Sequence, residues 1–285
     1  MDKVIDGKKI AEGIEEKVKQ EVRGIEERYG ITPGLATILV GEDPPSKLYI
    51  KLKHWACQRT GIKSENYKFP EETSEGEILE LLDELQSRND IHGILVQFPL
   101  PKHLDEKRIM QHINPKKDVD GFNPLNFGNL LIGNESAGFV PCTPQGIIHA
   151  LGAYNIAIQG KHAVVVGHSN IVGKPIALML LNRNATVTVC HVYTHDLKRY
   201  TSSADILVVA TGVRGLIGAD MVKQDAVVFD VGITWVDGHV YGDVRFEEVV
   251  PKASLISPVP GGVGPITVAM LLEHTIKATQ KSVTH

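Results

Sequence analysis

The stretch "AVVVGHSNIVGKPIAL", residues 163–178, indicates the fold of this chain. Its apolar start is typical of a buried strand, and it leads through Gly167 into a helix that Gly173 opens. The first N–H groups of a helix have no partner inside it, so such a turn favours phosphate. The spacing departs from G-x-G-x-x-G, because His168 and Ser169 follow the first glycine. We predict a nucleotide-binding turn; the alternative is a strand-to-helix turn without a ligand.

Short apolar runs recur through the second half of the sequence. They lack polar alternation, as strands buried on both faces do, and the segments between them are long enough for helices. The pattern predicts a parallel, doubly wound sheet. The predicted strands are 163–167, 185–190, 205–212, 226–232 and 254–259.

The first half alternates in the same way but less regularly. Its predicted helices are Lys9–Arg28, 44–61, 75–88 and Asp105–Ile113, and its predicted strands are 35–41, Lys63–Phe69 and 91–101. The Asn- and Gly-rich segment that follows, 118–134, has the composition of a loop.

Two α/β domains are therefore expected, 1–140 and 141–264, with a boundary near Phe139–Pro144. An amphipathic helix from about Pro265 to Gln280 closes the chain.

Composition excludes several classes of protein. The 285 residues are 42% hydrophobic and 22% charged, as in soluble globular proteins. A net charge of −4 and a pI near 6.3 give no general attraction to nucleic acid or anionic membranes. There is no signal-peptide pattern and no long apolar run. Cys57, Cys142 and Cys190 form no C-x-x-C, which indicates reduced thiols and a cytoplasmic location.

The end of the second strand of this sheet bears on the choice of nucleotide. An NAD site usually places Asp or Glu about 20 residues after the glycine turn, on the ribose diol. Here the strand ends at His191 and Val192 without an acid, and Asp196 lies too far along. This favours NADP, although neither His168 nor His191 is a permanent cation, so NAD or dual use stays an alternative. A metal site is disfavoured because the i,i+4 pair His191 and His195 has no carboxylate beside it.

A second set of polar residues lies in the first half. Tyr49 and Lys53 are four apart and share a helical face. Burial lowers the pKa of a lysine and suits it to acid–base work; the alternative is an exposed lysine lying along the tyrosine ring. Gln97 ends a predicted strand, where open α/β sheets bind ligands. "KDVDG" offers Asp118 and Asp120 before a glycine, a pattern that alone is most often a solvated turn.

The Pro- and Gly-rich stretch "SPVPGGVGPITVAM", residues 257–270, opens the last helix. Its glycines allow a flat ligand to approach the backbone.

Five of these motifs, in this order and spacing, resemble the bifunctional methylenetetrahydrofolate dehydrogenase/methenyltetrahydrofolate cyclohydrolase family. The resemblance extends from about Gly7 to Ile276 and rests on "YIKLK" (49–53), "VQFPLP" (96–101), "KDVDG" (117–121), "GHSNIVGKP" (167–175) and "PVPGGVGPITVAML" (258–271). It implies oxidation of methylenetetrahydrofolate by NADP and hydrolysis of the methenyl product to formyltetrahydrofolate. It also implies an active-site cleft between the two domains, a last helix, 265–285, that packs on the first domain, and a homodimer.

The resemblance also implies residue roles. Lys53 corresponds to the essential lysine, Tyr49 to the residue that stacks on the pterin side, Gln97 to the partner of the lysine and Asp120 to the pterin anchor. The implied folate-binding set is Tyr49, Lys53, Val96, Gln97, Phe98, Asp120, Pro260, Gly261 and Gly262. The implied cofactor-binding set is Gly167, His168, Ser169, His191, Val192, Thr211, Gly212, Gly232 and Ile233.

Three positions depart from the family pattern. His168 stands where NADP-preferring members commonly have Arg, Val192 where they have Ser, and Phe98 where Leu is usual. The first two alter both usual contacts to the 2′-phosphate. Two alternative functions stay open at this point: a relative with one of the two activities, and a nucleotide-sensing α/β protein without catalysis.

Overall fold

The computed structural model describes residues 3–283 and divides the chain into two compact α/β units. The first, which we call the catalytic unit after the role that the family resemblance implies for it, comprises Glu12–Cys142 and the described residues from Val268 onward. The second, the sheet unit, comprises the described residues up to Ala11 and Thr143–Thr267.

The catalytic unit is built on a three-stranded parallel sheet. Its elements are α1 (Gly7–Tyr29, which begins in the sheet unit), β1 (Gly34–Val40), α2 (Pro44–Thr60), β2 (Lys63–Phe69), α3 (Glu75–Ser87), β3 (Gly93–Val96), α4 (Glu106–His112) and α5 (Pro124–Leu131). The strand order is β2-β1-β3, and every residue of β1 and β3 is buried. A core cluster that includes Ile38, Ile94 and Leu82 covers one part of this sheet.

Local sequence signals determine where the helices of this unit begin. Asp43 caps α2 by accepting from the backbone N–H of Ser46 at 2.9 Å, and Gly61 ends the helix in the left-handed region at φ 85°. In α3, Ser74 and Glu77 form a capping box. Asp43 and Gly61 thus set the two ends of α2, and with them the direction in which each of its side chains projects.

The structure corrects two predictions in the catalytic unit. The segment predicted as a loop contains α5, which Asn123 caps and which buries Leu130. The glycine and asparagines of α5 are typical of loops, so its short apolar stripe was not read as a helix. The strand predicted over 91–101 is β3 and ends at Val96, because Pro99 and Pro101 lack the N–H groups that a longer strand would need.

The sheet unit is a doubly wound parallel sheet, as predicted. Its elements are α6 (Cys142–Ala153), β4 (His162–Val166), α7 (Gly173–Leu181), β5 (Thr186–Cys190), α8 (Leu197–Thr201), β6 (Ile206–Val209), a 3₁₀ turn (Ala219–Met221), β7 (Val227–Asp230), β8 (Thr234–Val236), β9 (His239–Tyr241), α9 (Phe246–Val249), β10 (Leu255–Ile256) and α10 (Val263–Val283, which continues into the catalytic unit). The strand order is β10-β7-β6-β4-β5, all parallel. All five predicted strands are present; the β8–β9 hairpin was not predicted.

The N-terminal residues do not follow the predicted division of the chain into domains 1–140 and 141–264. Val4 forms a parallel bridge with Ile256 of β10, and the N–H of Ile5 donates to the carbonyl of Ile256 at 2.8 Å. This pairing extends the edge of the sheet, so the residues before Glu12 belong to the sheet unit. At the other end, residues from Val268 belong to the catalytic unit. Across residues 3–283, no helix has both the length and the apolar character that crossing a membrane requires.

Candidate active site

Tyr49 and Lys53 lie one turn apart on α2, where Tyr49 is half-buried and Lys53 is buried. Lys53 is 8% exposed, whereas Leu52 is 38% exposed. The Nζ atom of Lys53 donates to Oε1 of Gln97 at 2.9 Å. Gln97 directly follows β3, and its own amide nitrogen donates to the carbonyl of Phe98 at 2.9 Å. The amide of Gln97 is thus oriented by the backbone and presents its oxygen to the lysine.

Burial shifts the pKa of both residues on α2, in opposite directions. It lowers the pKa of Lys53 from its ordinary 10.5, and the negative charge of Asp120 acts in the opposite direction. It raises the pKa of the Tyr49 phenol. An amine with a lowered pKa is unprotonated for a larger share of the time near neutral pH, which general base catalysis requires.

Asp120 completes this group within the catalytic unit. Burial raises the pKa of its carboxyl, while the Lys53 ammonium and hydrogen bonds from Cys142 lower it. This group therefore includes the buried cation Lys53 and the partly buried anion Asp120, whose charges act on each other. The sequence alone left open an exposed lysine lying along the tyrosine ring, and the 8% exposure of Lys53 excludes that alternative.

Asp118 has a different role from Asp120, which the sequence did not distinguish. It is 1% exposed and accepts from the N–H of Gly121 at 3.1 Å, the N–H of Asn123 at 2.7 Å and Nδ2 of Asn126 at 2.9 Å. Burial raises its pKa to about 6 against the effect of these donors. Its oxygens are occupied by the turn itself, so Asp118 shapes the turn that carries Asp120.

Sequence reasoning missed two residues beside Asp120. The carbonyl of Val119 accepts from Nδ1 of His274 at 2.8 Å and from the Cys142 thiol at 3.3 Å. The His274 ring lies 5.4 Å from the ring of Phe139, and burial lowers its pKa to about 4. A histidine within an apolar helix face was the available signal for this residue; for Cys142 the sequence offered none.

The glycine turn after β4 has the close packing that a phosphate-binding turn requires. A Cβ on Gly167, whose φ is 115°, would lie 2.2 Å from the carbonyl oxygen of Ala210, and one on Gly173 would lie 2.2 Å from that of Gly167. Ser169 accepts from the N–H groups of Val172 at 3.2 Å and Gly173 at 3.4 Å. Its hydroxyl hydrogen remains available to an acceptor such as a phosphate oxygen.

His168 and His191 lie together at the ends of two neighbouring strands. Their ring centroids are 5.0 Å apart, because β4 and β5 pair along Val166 and Cys190. The backbone N–H of Tyr193 donates to Nδ1 of His191 at 3.3 Å. Val192 is 85% exposed, so its side chain points away from the protein.

The other predicted cofactor residues follow β6 and β7. Thr211 and Gly212 come shortly after β6, Gly232 and Ile233 shortly after β7, and the hydroxyl of Thr234 donates to the carbonyl of Gly212 at 3.2 Å. These loops lie at the same carboxyl edge as the glycine turn, because β4, β6 and β7 are parallel neighbours. The structure thus brings the predicted cofactor residues to one edge of the sheet.

Pro260, Gly261 and Gly262 precede α10 in the sheet unit. Gly262 contacts the start of α1 so closely that a Cβ on Gly7 would lie 1.7 Å from the Gly262 oxygen. Val96, Gln97 and Phe98, which are also predicted to bind folate, belong to the catalytic unit.

Two family models match this chain in succession. The tetrahydrofolate dehydrogenase/cyclohydrolase catalytic domain matches residues 5–120, and the NAD(P)-binding domain of the same family matches residues 141–283. The chain belongs to the tetrahydrofolate dehydrogenase/cyclohydrolase family. The group around Lys53 lies in the part matched by the catalytic domain, and the glycine turn lies in the part matched by the NAD(P)-binding domain.

Similar proteins of this family are known from several organisms. The bifunctional protein FolD of Methanosarcina mazei is 58% identical over 280 residues, 98% of this chain and 97% of the relative. The crystal structure of the bifunctional enzyme FolD from Campylobacter jejuni is 49% identical with a TM-score of 0.95, covering 98% of each chain. A Trypanosoma brucei FolD structure, complexed with NADP cofactor and inhibitor, is 37% identical with a TM-score of 0.95, covering 99% of this chain and 98% of that one.

Proposed function

We propose that this protein is a bifunctional folate enzyme. It oxidises methylenetetrahydrofolate to methenyltetrahydrofolate by hydride transfer to NADP, and it hydrolyses the methenyl compound to formyltetrahydrofolate. The observation that carries the proposal is the buried amine of Lys53, held by Gln97 at 2.9 Å within the part of the chain that matches the family's catalytic domain. A protein that only binds a nucleotide has no use for such an amine.

The sheet unit fits NADP. At Gly167 and Gly173 the chain is packed too closely for a Cβ. These two glycines shape the turn before α7, where the free N–H groups of a helix start can bind a pyrophosphate. His168, Ser169, His191 and Val192 would surround the adenosine side, and Thr211, Gly212, Gly232 and Ile233 the nicotinamide side. When bound, NADP accepts the hydride. The protein's contribution is to hold the nicotinamide ring in contact with the folate ring system.

Lys53 would serve the hydrolysis. As a free amine it accepts a proton while a water oxygen bonds to the methenyl carbon. The resulting ammonium returns the proton to the ring nitrogen as the bond from that nitrogen to the carbon breaks, and the hydroxyl proton of the adduct leaves to solvent. Gln97 orients the amine, Tyr49 stacks on the pterin side, and Asp120 accepts hydrogen bonds from the amino and ring N–H groups of the pterin.

The exposed apolar residues of the sheet unit fit a homodimer, and the three buried thiols of the chain fit a cytoplasmic location. β5 is an edge strand on which Val189 is 40% exposed, and Leu181 on α7 is 54% exposed. Apolar side chains beside an unpaired strand edge are suited to contact with a second copy. Cys57, Cys142 and Cys190 are free and buried, as reduced thiols of a cytoplasmic protein would be. Light scattering of the purified protein tests the dimer directly.

One absorbance assay tests the enzymatic proposal. The protein is mixed with methylenetetrahydrofolate and either NADP or NAD, and reduced nicotinamide and methenyl compound are followed separately; methenyltetrahydrofolate is also supplied alone. We expect reduction of NADP and loss of supplied methenyl compound above the spontaneous rate. Reduction with accumulating methenyl compound would mean a dehydrogenase alone, and cofactor binding without either signal would mean a sensor.

A further inference from the structure

Two buried carboxylates in the sheet unit have no part in the site described above. Asp230 ends β7 and is 4% exposed, and Asp243 follows β9 and is 0% exposed. Neither is an exposed ion-pairing residue, and burial of a carboxylate is unfavourable unless its oxygens are hydrogen-bonded. The donors to these oxygens therefore indicate what the two residues do.

Asp243 holds the loop that follows β6. Its Oδ2 atom accepts from the N–H of Thr211 at 2.6 Å, from the hydroxyl of Thr211 at 2.8 Å and from the N–H of Gly212 at 3.1 Å. Thr211 follows Ala210, whose carbonyl lies against the Cα of Gly167 in the glycine turn. One carboxylate oxygen thus determines the position of a loop that borders the phosphate cradle.

Asp230 holds Asp243 in turn. Its Oδ1 atom accepts from the N–H of Asp243 at 2.9 Å and from that of Gly232 at 3.2 Å, and its Oδ2 atom accepts from the N–H of Val244 at 2.9 Å. Burial raises the pKa of Asp230 to about 7 despite these donors, and the charge of Asp243 adds to the increase. The loop after β7 and the segment after β9 are therefore joined through one side chain.

The packing around the pair leaves no room for a side chain at Gly232 or Gly242. A Cβ on Gly232 would lie 1.9 Å from Oδ1 of Asp243, and one on Gly242 would lie 1.9 Å from Oδ2 of Asp230. Oδ1 of Asp243 has no hydrogen-bond partner within residues 3–283. An unpaired buried oxygen lowers stability, so the pair is not explained as a device for stability alone.

We propose that Asp230 and Asp243 are positioning residues that together hold the loops after β6 and β7 in the geometry required to bind the nicotinamide side of NADP. The proposal rests on the proposed function, since it assigns those loops to the cofactor. Asp243 acts through Thr211 and Gly212, and Asp230 acts through Gly232 and through Asp243.

Substitutions at Asp243 separate this role from a general structural one. Asp243→Ala removes the acceptor of three hydrogen bonds. Asp243→Asn keeps it, because the amide oxygen takes the place of Oδ2 and the nitrogen takes that of the unpaired Oδ1. Asp220→Ala is the matched control, an exposed aspartate of the same unit whose carboxylate pairs with Lys198 at 2.8 Å.

The measurements are the dissociation constant of NADP by calorimetry, KM and kcat for NADP reduction, and hydrolysis of methenyltetrahydrofolate without cofactor. For Asp243→Ala we expect the dissociation constant and KM of NADP to rise about tenfold or more. We expect hydrolysis to stay within about twofold of the wild type, since Lys53 and its partners belong to the other unit. Asp243→Asn should restore most of the affinity, and Asp220→Ala should change none of these values.

Two outcomes would overturn the positioning role. One is equal loss of NADP affinity and hydrolysis in Asp243→Ala, which would mean that the carboxylate only maintains the fold. The other is unchanged NADP affinity in that variant. Failure of the wild type itself to reduce NADP would instead reject the proposed function, so the two failures are distinguishable.

Discussion

The Nζ atom of Lys53 donates a hydrogen bond to Oε1 of Gln97 at 2.9 Å. The two residues are 44 positions apart in the chain, one on α2 and one after β3. Parallel pairing of β1 with β3 brings the end of β3 towards the helix that follows β1. A flexible lysine is thereby held in one place while burial lowers its pKa, and the first prediction concerns this amine.

Lys53→Met should abolish hydrolysis of methenyltetrahydrofolate, with a loss of about a hundredfold or more, because methionine keeps the buried stem but has no basic group. The measurement is loss of methenyl absorbance, corrected for the spontaneous rate, with circular dichroism to show that the fold persists. Lys51→Met is the control, since the Lys51 ammonium lies over the ring of Trp55 at 4.7 Å. Wild-type hydrolysis in Lys53→Met would remove this residue from its role.

The pH dependence of hydrolysis should follow the protonation of Lys53. Activity requires the free amine, so kcat should rise with pH along a limb placed below the ordinary lysine pKa of 10.5. The charge of Asp120 raises the pKa of Lys53, so Asp120→Asn should move this limb to lower pH while KM for the folate increases. The comparison uses kcat from pH 5 to 9 with Asp83→Asn, an exposed carboxylate on α3, as control. A limb that does not move in Asp120→Asn would contradict the assignment.

Cofactor preference should respond to a permanent cation beside the glycine turn. His168→Arg places a guanidinium where the 2′-phosphate would lie, and it should raise the ratio of kcat/KM for NADP over NAD about tenfold. His195→Arg adds the same charge at an exposed position a few residues beyond β5 and should leave the ratio unchanged. An equal increase in both variants would indicate a general effect of charge rather than contact with the phosphate.

The glycine turn should tolerate no side chain at Gly173. Gly173→Ala places a methyl group 2.2 Å from a backbone oxygen, so the start of α7 must shift. NADP reduction should fall strongly while hydrolysis persists. Gly152→Ala is the control, because no atom beyond its chain neighbours and the adjoining backbone of α6 lies within 4 Å of the added Cβ and alanine suits a helix better than glycine. Unchanged NADP affinity in Gly173→Ala would show that this turn does not hold the phosphates.

Much of the fold was predictable because its signals are local. Buried parallel strands are continuous apolar runs, and all five strands of the parallel sheet in the sheet unit follow from such runs. The four-residue spacing of Tyr49 and Lys53 determines that they share a helical face. Local signals also failed: α5 lies among glycine and asparagines that are typical of loops, where burial of Leu130 outweighs weak helix propensity.

The amino-acid sequence by itself determined the order of most strands and helices, the glycine turn and the chemical types available for catalysis, since each of these depends on neighbours along the chain. Only the tertiary structure decided which of two aspartates shapes the turn and which faces Lys53, that His274 and Cys142 hold the Val119 carbonyl, and that Asp230 and Asp243 are joined. These distinctions depend on burial and on donors from distant segments. The free energy of a buried charge is determined by those surroundings, which no local pattern specifies.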